Sequence, residues 1–473
     1  MQIALLILIA FIIYKIAFKL MKLAVMRIII LVIFLVNISL FTYAQKGRNT
    51  DTVQYLTLDQ CLAYALQNQP LLKQTAIDIT IAHKTNAINL SAWLPQVNLV
   101  GSLTHYFTLP TSFGVNPNDP NGPPIEGHGG IINTATPGIS ATETIFSPDV
   151  LYAAKAAHLY VQQAEEAHDS SKINLISNVS KTFYNLLSNL EQIKTLQEDT
   201  ARLAKNLSDT YHQYVGGTVD KTDYKEATIT LNNSKALLKQ AVENVRPEYA
   251  SLKQSIGYPT EKEFNVLFDT IQMKEDITFD TTQQLQFEKR IEYQLLETAK
   301  NLQHENVNYY RYSFLPTLSA FYTYTREYES NSFSNLFDQA YPFSFIGISL
   351  DLPLFTGFKR IYSLQKAKLQ EDRIDLGIVN IKSEIYTEYT TALANYKSNF
   401  YNLQEQKENV SMAKDVYNVV DLQYKQGVVA YLNLITAESN LISSEISYTN
   451  ALFQVMISKV DLEQAMGIIS SKH

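Results

Sequence analysis

The sequence predicts a mainly α chain with a transmembrane β-barrel portion. Three observations point to it. Residues 149–213 contain neither proline nor glycine, enough for one helix of about 95 Å. Segments of roughly ten residues near 96–108, 139–145, 317–325 and 344–354 alternate apolar with polar side chains, as membrane strands do. These helical and alternating stretches also follow one another in the same order twice.

The N-terminus is expected to be an export signal. Basic residues precede an apolar run, Ile28–Val36, and Thr42-Tyr43-Ala44 offers a cleavage site before Gln45. This makes 1–44 a signal peptide. A second apolar run at Met1–Leu20 argues that translation starts at Met21 or Met26.

Thr57 is the expected N-cap of a short helix reaching Asn68, and Pro70 opens a second helix that Pro95 stops near Trp93. A strand over Gln96–Thr108 sets Val97, Leu99 and Leu103 against Asn98, Ser102 and Thr104. Six prolines and six glycines in 109–138 predict a long loop. A weaker strand, Ile139–Ile145, leads to Pro148 and the long helix. There Ile176, Val179, Phe183, Leu186, Leu190 and Ile193 step by threes and fours, a seam that requires partner helices. Gly216-Gly217 breaks the helix, and a new one runs from Asp220 to Gly257.

After a connector at 259–284 the cycle recurs. It comprises a helix from Leu285 to Ser313, a strand Thr317–Thr325, a loop Arg326–Pro342 and a strand Ser344–Leu354. A long helix to Lys425 follows, then a break at Gly427 and a last helix to Gly467. Set against itself at an offset of 210, the chain superposes Tyr214 on Tyr424, Gly217 on Gly427, Leu231 on Leu441 and Gly257 on Gly467 without a gap. The organisation predicted is a first structural repeat 45–258, the connector, and a second repeat 285–473.

Composition narrows the function. The formal charge is −7, and the leader holds Lys15, Lys19, Lys22 and Arg27 with no acid, so the remainder stands at −11. That balance tells against nucleic acid as a partner. The one cysteine, Cys61, has no intramolecular disulfide partner and reads as a packing residue. Eight histidines lie scattered without metal-ligand spacing, and the glycine doublets lack a phosphate-cradle context. No catalytic constellation, cofactor or metal site is predicted, so the chain does not read as an enzyme.

Four strands cannot close a barrel, and open edges in hydrocarbon leave backbone groups unpaired. The chain must therefore borrow strands from copies of itself, and three copies give about twelve strands and some lumen. Every strand leads directly into a helix, so the helices lie on one side of the membrane. For an exported protein that side is the periplasm. Asp351 falls on the polar side of its strand and is the candidate lumen residue.

Several of these segments carry a resemblance. Leu56-Thr57-Leu58 with Asn68 and Pro70, Leu94-Pro95 before a strand, Leu350-Asp351-Leu352-Pro353-Leu354-Phe355-Thr356-Gly357, and Tyr424-Lys425-Gln426-Gly427 resemble the outer membrane efflux protein (TolC) family over residues 50–467. The resemblance implies a homotrimer in the outer membrane of a Gram-negative bacterium, with long antiparallel helices in a periplasmic α-barrel. It also implies docking to a periplasmic adaptor and to an inner-membrane pump of the RND, ABC or MFS type.

In that family the helical tips close the duct. The resemblance assigns the tips here to the turns at Gly216, Gly217 and Gly427, with Thr222, Asp223 and Tyr424 matching family tip residues. Where the family's best-known member has an arginine and two aspartates, this chain has Val429, Asn433 and Thr436. Closure is expected to rest instead on apolar contact at Val428-Val429 and hydrogen bonding by Tyr424 and Asn433. First-turn capping is an equal reading of Asp223. The competing function is a periplasmic coiled-coil adaptor anchored by an uncleaved N-terminal segment.

Overall fold

The computed structural model describes residues 54–114, 125–267 and 277–469. The signal peptide, the middle of the loop at 109–138, part of the connector and the last residues lie outside them. The elements in chain order are β1 (Gln54–Leu56), α1 (Leu58–Asn68), α2 (Pro70–Leu90), β2 (Gln96–Val100), β3 (Leu103–His105), β4 (Thr111–Gly114), β5 (Ile125–His128), β6 (Asn133–Ala135) and β7 (Gly138–Phe146). Then come α3 (Pro148–Val215), α4 (Lys221–Ile256), β8 (Phe264–Val266), α5 (Ile291–Tyr312), β9 (Thr317–Ser330), β10 (Ala340–Asp351), α6 (Lys359–Lys425) and α7 (Tyr431–Ala465). One small unit holds Gln54–Tyr55 and Glu263–Asn265, most of the β1–β8 pair, and all other described residues belong to the second unit.

Local chemistry fixes the helix starts. Thr57 and Gln60 form a reciprocal capping box at α1, and Pro70 occupies the first turn of α2. Ser147 caps α3 by accepting the Asp149 N–H at 3.2 Å. Pro247 lies inside α4, where it removes one backbone donor, and the sequence pattern gave no stop there. α5 begins at Ile291, later than the predicted Leu285, because a 3₁₀ turn at Phe287–Lys289 and an extended Arg290 precede it.

Among the described residues the main sheet has six strands instead of the predicted four. Gly101-Ser102 splits the first expected strand into β2 and β3, and Thr136-Pro137 separates β6 from β7. The expected loop 109–138 thus holds β6 and, apart from this sheet, the hairpin β4–β5. β9 extends five residues past the predicted Thr325, because its end pairs with β6 through Asn133↔Ser330 and with β10 up to Ala340↔Tyr328. β10 starts at Ala340 and stops at Asp351, before Pro353. The long strands lie in the order β2-β7-β9-β10, all antiparallel.

Register sorts the two faces of this sheet. One carries Val97, Leu99, Ile139, Ala141, Leu318, Tyr322, Tyr324, Ile346, Ile348 and Leu350, with Glu143 beside the bulge at Thr144/Phe146. The other carries Asn98, Ser140, Thr142, Thr317, Ser319, Thr323, Ser349 and Asp351, with Phe321, Phe343 and Phe345 among them. The apolar side is bare in the protomer: Ile346 is 80% and Leu99 85% exposed.

The helices form two antiparallel hairpins, α3–α4 and α6–α7, joined where α3 packs on α7. α3 also packs against α1, α2 and α5. The seam residues Ile176, Val179, Phe183 and Leu186 are buried, and Cys61 is fully buried in α1. Burial pushes the Cys61 thiol up to about 12, which keeps it protonated and unreactive. Among the described residues no helix is long and apolar enough to cross a membrane.

The far ends of both hairpins fold back on the start of an earlier helix. Gln69 donates to the Gln254 and Ser255 carbonyls at 3.0 and 2.9 Å, closing the end of α4. At the end of α7, the buried Arg290 donates to Ala465 O at 2.7 Å and also binds Glu388 and Glu292. Gly257 and Gly467, at φ +69° and +68°, lie against the backbone at Asn68-Gln69 and Lys289 respectively.

Candidate functional site at the helical tips

The tips are the turns joining α3 to α4 and α6 to α7. Each closes with the same backbone bonds. Gly216, Gly217 and Thr218 donate to His212, Tyr214 and Gln213, while Gln426, Gly427 and Val428 donate to Leu422, Tyr424 and Gln423. Gly217 and Gly427 have φ of +72° and +73°, and a Cβ on either would meet no neighbour. Backbone conformation alone calls for glycine there. Both following helices start from an extended residue, Asp220 or Ala430, whose side chain makes no cap bond.

Side chains then set the two tips apart. In the first, the Tyr214 and Tyr224 rings stack at 6.0 Å and Tyr211 leans on Tyr224 at 5.3 Å. In the second, Tyr424 packs on Tyr431 at 5.3 Å, and Tyr431 is only 2% exposed. Tyr431 lies in a small core with Leu434 and with Ala227 of the first hairpin. The hydroxyl of Tyr424 crosses between hairpins and donates to Gln213 Oε1 at 2.8 Å.

A cleft of about 620 Å³ spans both turns and gathers Gly217, Asp223, Tyr424, Gly427 and Val429 among its lining residues. Gly216 serves the turn backbone. Thr222, Asn433 and Thr436 are exposed and lie outside that lining, and the Thr436 hydroxyl donates to the Leu432 carbonyl at 2.8 Å. The Asp223 backbone N–H donates to the Asp220 carbonyl at 3.2 Å, so Asp223 contributes to the helix start as well as to the cleft. Partial burial and the nearby Asp220 hold its carboxyl above the usual range. Burial chiefly, with Asp223 and Asp209 nearby, raises the Tyr424 hydroxyl, which therefore stays a donor at neutral pH.

Sequence reading missed Gln213, the partner of Tyr424, and the buried Tyr431. The 210-residue register pairs Tyr431 with Lys221 and so gave no hint, although Tyr431, Leu434, Glu438 and Leu441 step along one buried face. It also missed a charged cluster deeper in the joint, Asp199, Arg202 and Glu438. The available signal was Asp199 falling in step between Leu196 and Leu203. In the main sheet, Asp351 lies on the polar face at the end of β10, directly opposite Thr317.

The family model described as outer membrane efflux protein matches residues 62–258 and 294–468. The chain belongs to this family. It is accordingly an outer-membrane efflux component, and the adaptor reading is not favoured. Among relatives, outer membrane protein TolC of Vibrio cholerae serotype O1 is 20% identical over 439 residues, spanning 92% of this chain and 95% of that one. The probable efflux pump outer membrane protein TtgC of Pseudomonas putida is 22% identical over 418 residues, 87% of this chain and 82% of its own. Solved structures share the fold. CusC superposes with a TM-score of 0.71 at 15% identity, covering 89% of this chain and 95% of that one. The Campylobacter jejuni CmeC outer membrane channel gives 0.69 at 18%, covering 87% and 85%.

Proposed function

We propose that the chain is one protomer of a homotrimeric exit duct. In this reading, three copies close a twelve-stranded barrel and continue as a helical tube through the periplasm, where an adaptor and an inner-membrane pump deliver cargo. The observation that carries it is the sheet with two open edges. Among the described residues β2 pairs only with β7 and β10 only with β9, while one face is apolar. In hydrocarbon each unpaired backbone group costs several kcal/mol. The alternating strand directions allow β10 of one copy to pair antiparallel with β2 of the next, which removes both edges at once.

Asp351 then faces the lumen, since in lipid its charge would cost up to a few kcal/mol. The matching turn bonds 210 residues apart support a duplicated design, with repeats at 45–258 and 285–473. Relatives named for efflux of antibiotics, toluene and solvents favour small molecules over polypeptides as cargo. The tips are the gate in this reading, held by the Tyr424–Gln213 bond and by Val429.

Two measurements test it. The purified outer-membrane protein is expected to run as a heat-modifiable trimer, and an inner-membrane monomer refutes the duct. In planar bilayers, Tyr424→Phe and Val429→Ser trimers are expected to raise closed-state conductance. Unchanged conductance in both removes these residues from the gate.

A further inference from the structure

The joint between the two hairpins contains an unbalanced buried charge cluster. Arg202 of α3 donates through Nε to Glu438 Oε1 of α7 at 3.0 Å, and through Nη2 to Asp199, one turn earlier on its own helix. Asn206 donates to the other Glu438 oxygen at 3.0 Å. Asp199 and Glu438 are 0% and 1% exposed, burial that the protomer supplies by itself. Two carboxylates thus share one guanidinium, and Asp199 Oδ2 is buried without a hydrogen-bond partner. Buried charge without compensation is costly, and uptake of one proton removes the excess.

The groups around the cluster do not supply the missing positive charge. Glu198 on α3 and Glu445 on α7 add negative potential, and Lys414 acts on Glu445 from α6. On α6 the Tyr417 ring lies 5.3 Å from the Arg202 guanidinium, with Asp421 near that tyrosine. On α4 the facing group is Ser234, paired with Thr200 at 2.9 Å.

We propose that Asp199, Arg202 and Glu438 are positioning residues that form a proton-dependent tie between the hairpins, and that this tie sets how closely the tips approach. Arg202 lies 13 residues before the end of α3 at Val215, about 20 Å along the helix, so a change at the joint swings the tips. Burial raises both carboxyls more than Arg202 lowers them. Groups raised on folding confer stability that is fully present below the ordinary carboxylate pKa and is lost as pH rises through the raised values. The tie is therefore tightest in acid, below the ordinary carboxylate range, and loosens as pH rises. The link to gating rests on the exit-duct reading, while the proton dependence of the joint does not.

The test uses the full-length trimer from about pH 4, the ordinary carboxylate range, to about pH 9. Hydrogen exchange over 195–210 and 431–445 is expected to quicken with pH in the wild type. A one-proton link allows a rise of at most about tenfold per pH unit beyond the intrinsic rate. Asp199→Asn supplies the missing neutrality and should flatten this profile at its acidic level; Glu438→Gln is the second variant should the first not fold. Closed-state conductance should follow the same profile in wild type and lose it in the variant. A wild-type profile without excess pH dependence, or one unchanged in a folded variant, overturns the tie. Exchange that obeys the prediction without channel activity overturns the duct reading and leaves the tie standing.

Discussion

α3 and α6 have nearly the same length, 68 and 67 residues, and both carry apolar residues at spacings of three and four, yet they are buried very differently. α3 buries sixteen residues and packs on five other helices, whereas α6 buries five and packs mainly on α5 and α7. Towards its tip α6 leaves Met412, Val416, Val419 and Leu422 more than half exposed. The same pattern therefore builds a core in one place and an uncovered stripe in the other. What separates the two helices is the number of neighbours the protomer itself provides, and a further copy would be needed to cover α6.

The sharpest way to break this comparison is to shorten one leucine on each helix. Leu186→Ala, at a fully buried site, should cost about 3 kcal/mol in thermal unfolding whether or not the protein is assembled. Leu422→Ala, 57% exposed, should leave the monomer within about 0.5 kcal/mol and weaken only the proposed trimer, as read by its dissociation in detergent. Equal losses in the monomer would refute the contrast.

A smaller effect separates the two ends where α4 and α7 stop. Arg290→Ala removes the charged donor that closes α7 and should cost about 2 kcal/mol, against about 1 for Gln69→Ala at α4. Glu292 and Glu388 are partly exposed, so water takes over much of their lost partner. Smallest is the difference among left-handed glycines. Gly217→Ala and Gly427→Ala should each cost about 1 kcal/mol for conformation alone. Gly257→Ala and Gly467→Ala should cost more, because the added Cβ lies 3.0 Å from backbone atoms. Unfolding midpoints of the four variants give the order.

Much of the frame was legible. Thr57, Pro70 and the glycines after the long helices marked ends that lie within a few residues of those observed, because caps and left-handed turns are set by nearest neighbours. Strand limits were read less well. β9 runs on to Ser330 because β10 pairs with it up to Tyr328 and β6 pairs with its last three residues, and the expected first strand breaks where Gly101-Ser102 interrupts the ladder. At the tips, sequence marked Tyr424 and Asp223 but not Gln213, which lies 211 residues from its partner.

By itself the sequence determined the periodicities, the turn positions and the alternation that gives the sheet an apolar and a polar face. These follow from the 3.6- and 2-residue repeats of the backbone and from the conformations open to glycine and proline. Only the tertiary structure decided which seam became the interior, how β7 and β9 join the two strand pairs, and that Arg202 meets two buried carboxylates. Those outcomes depend on contacts between residues from about 170 to about 240 positions apart, about which local pattern carries no information.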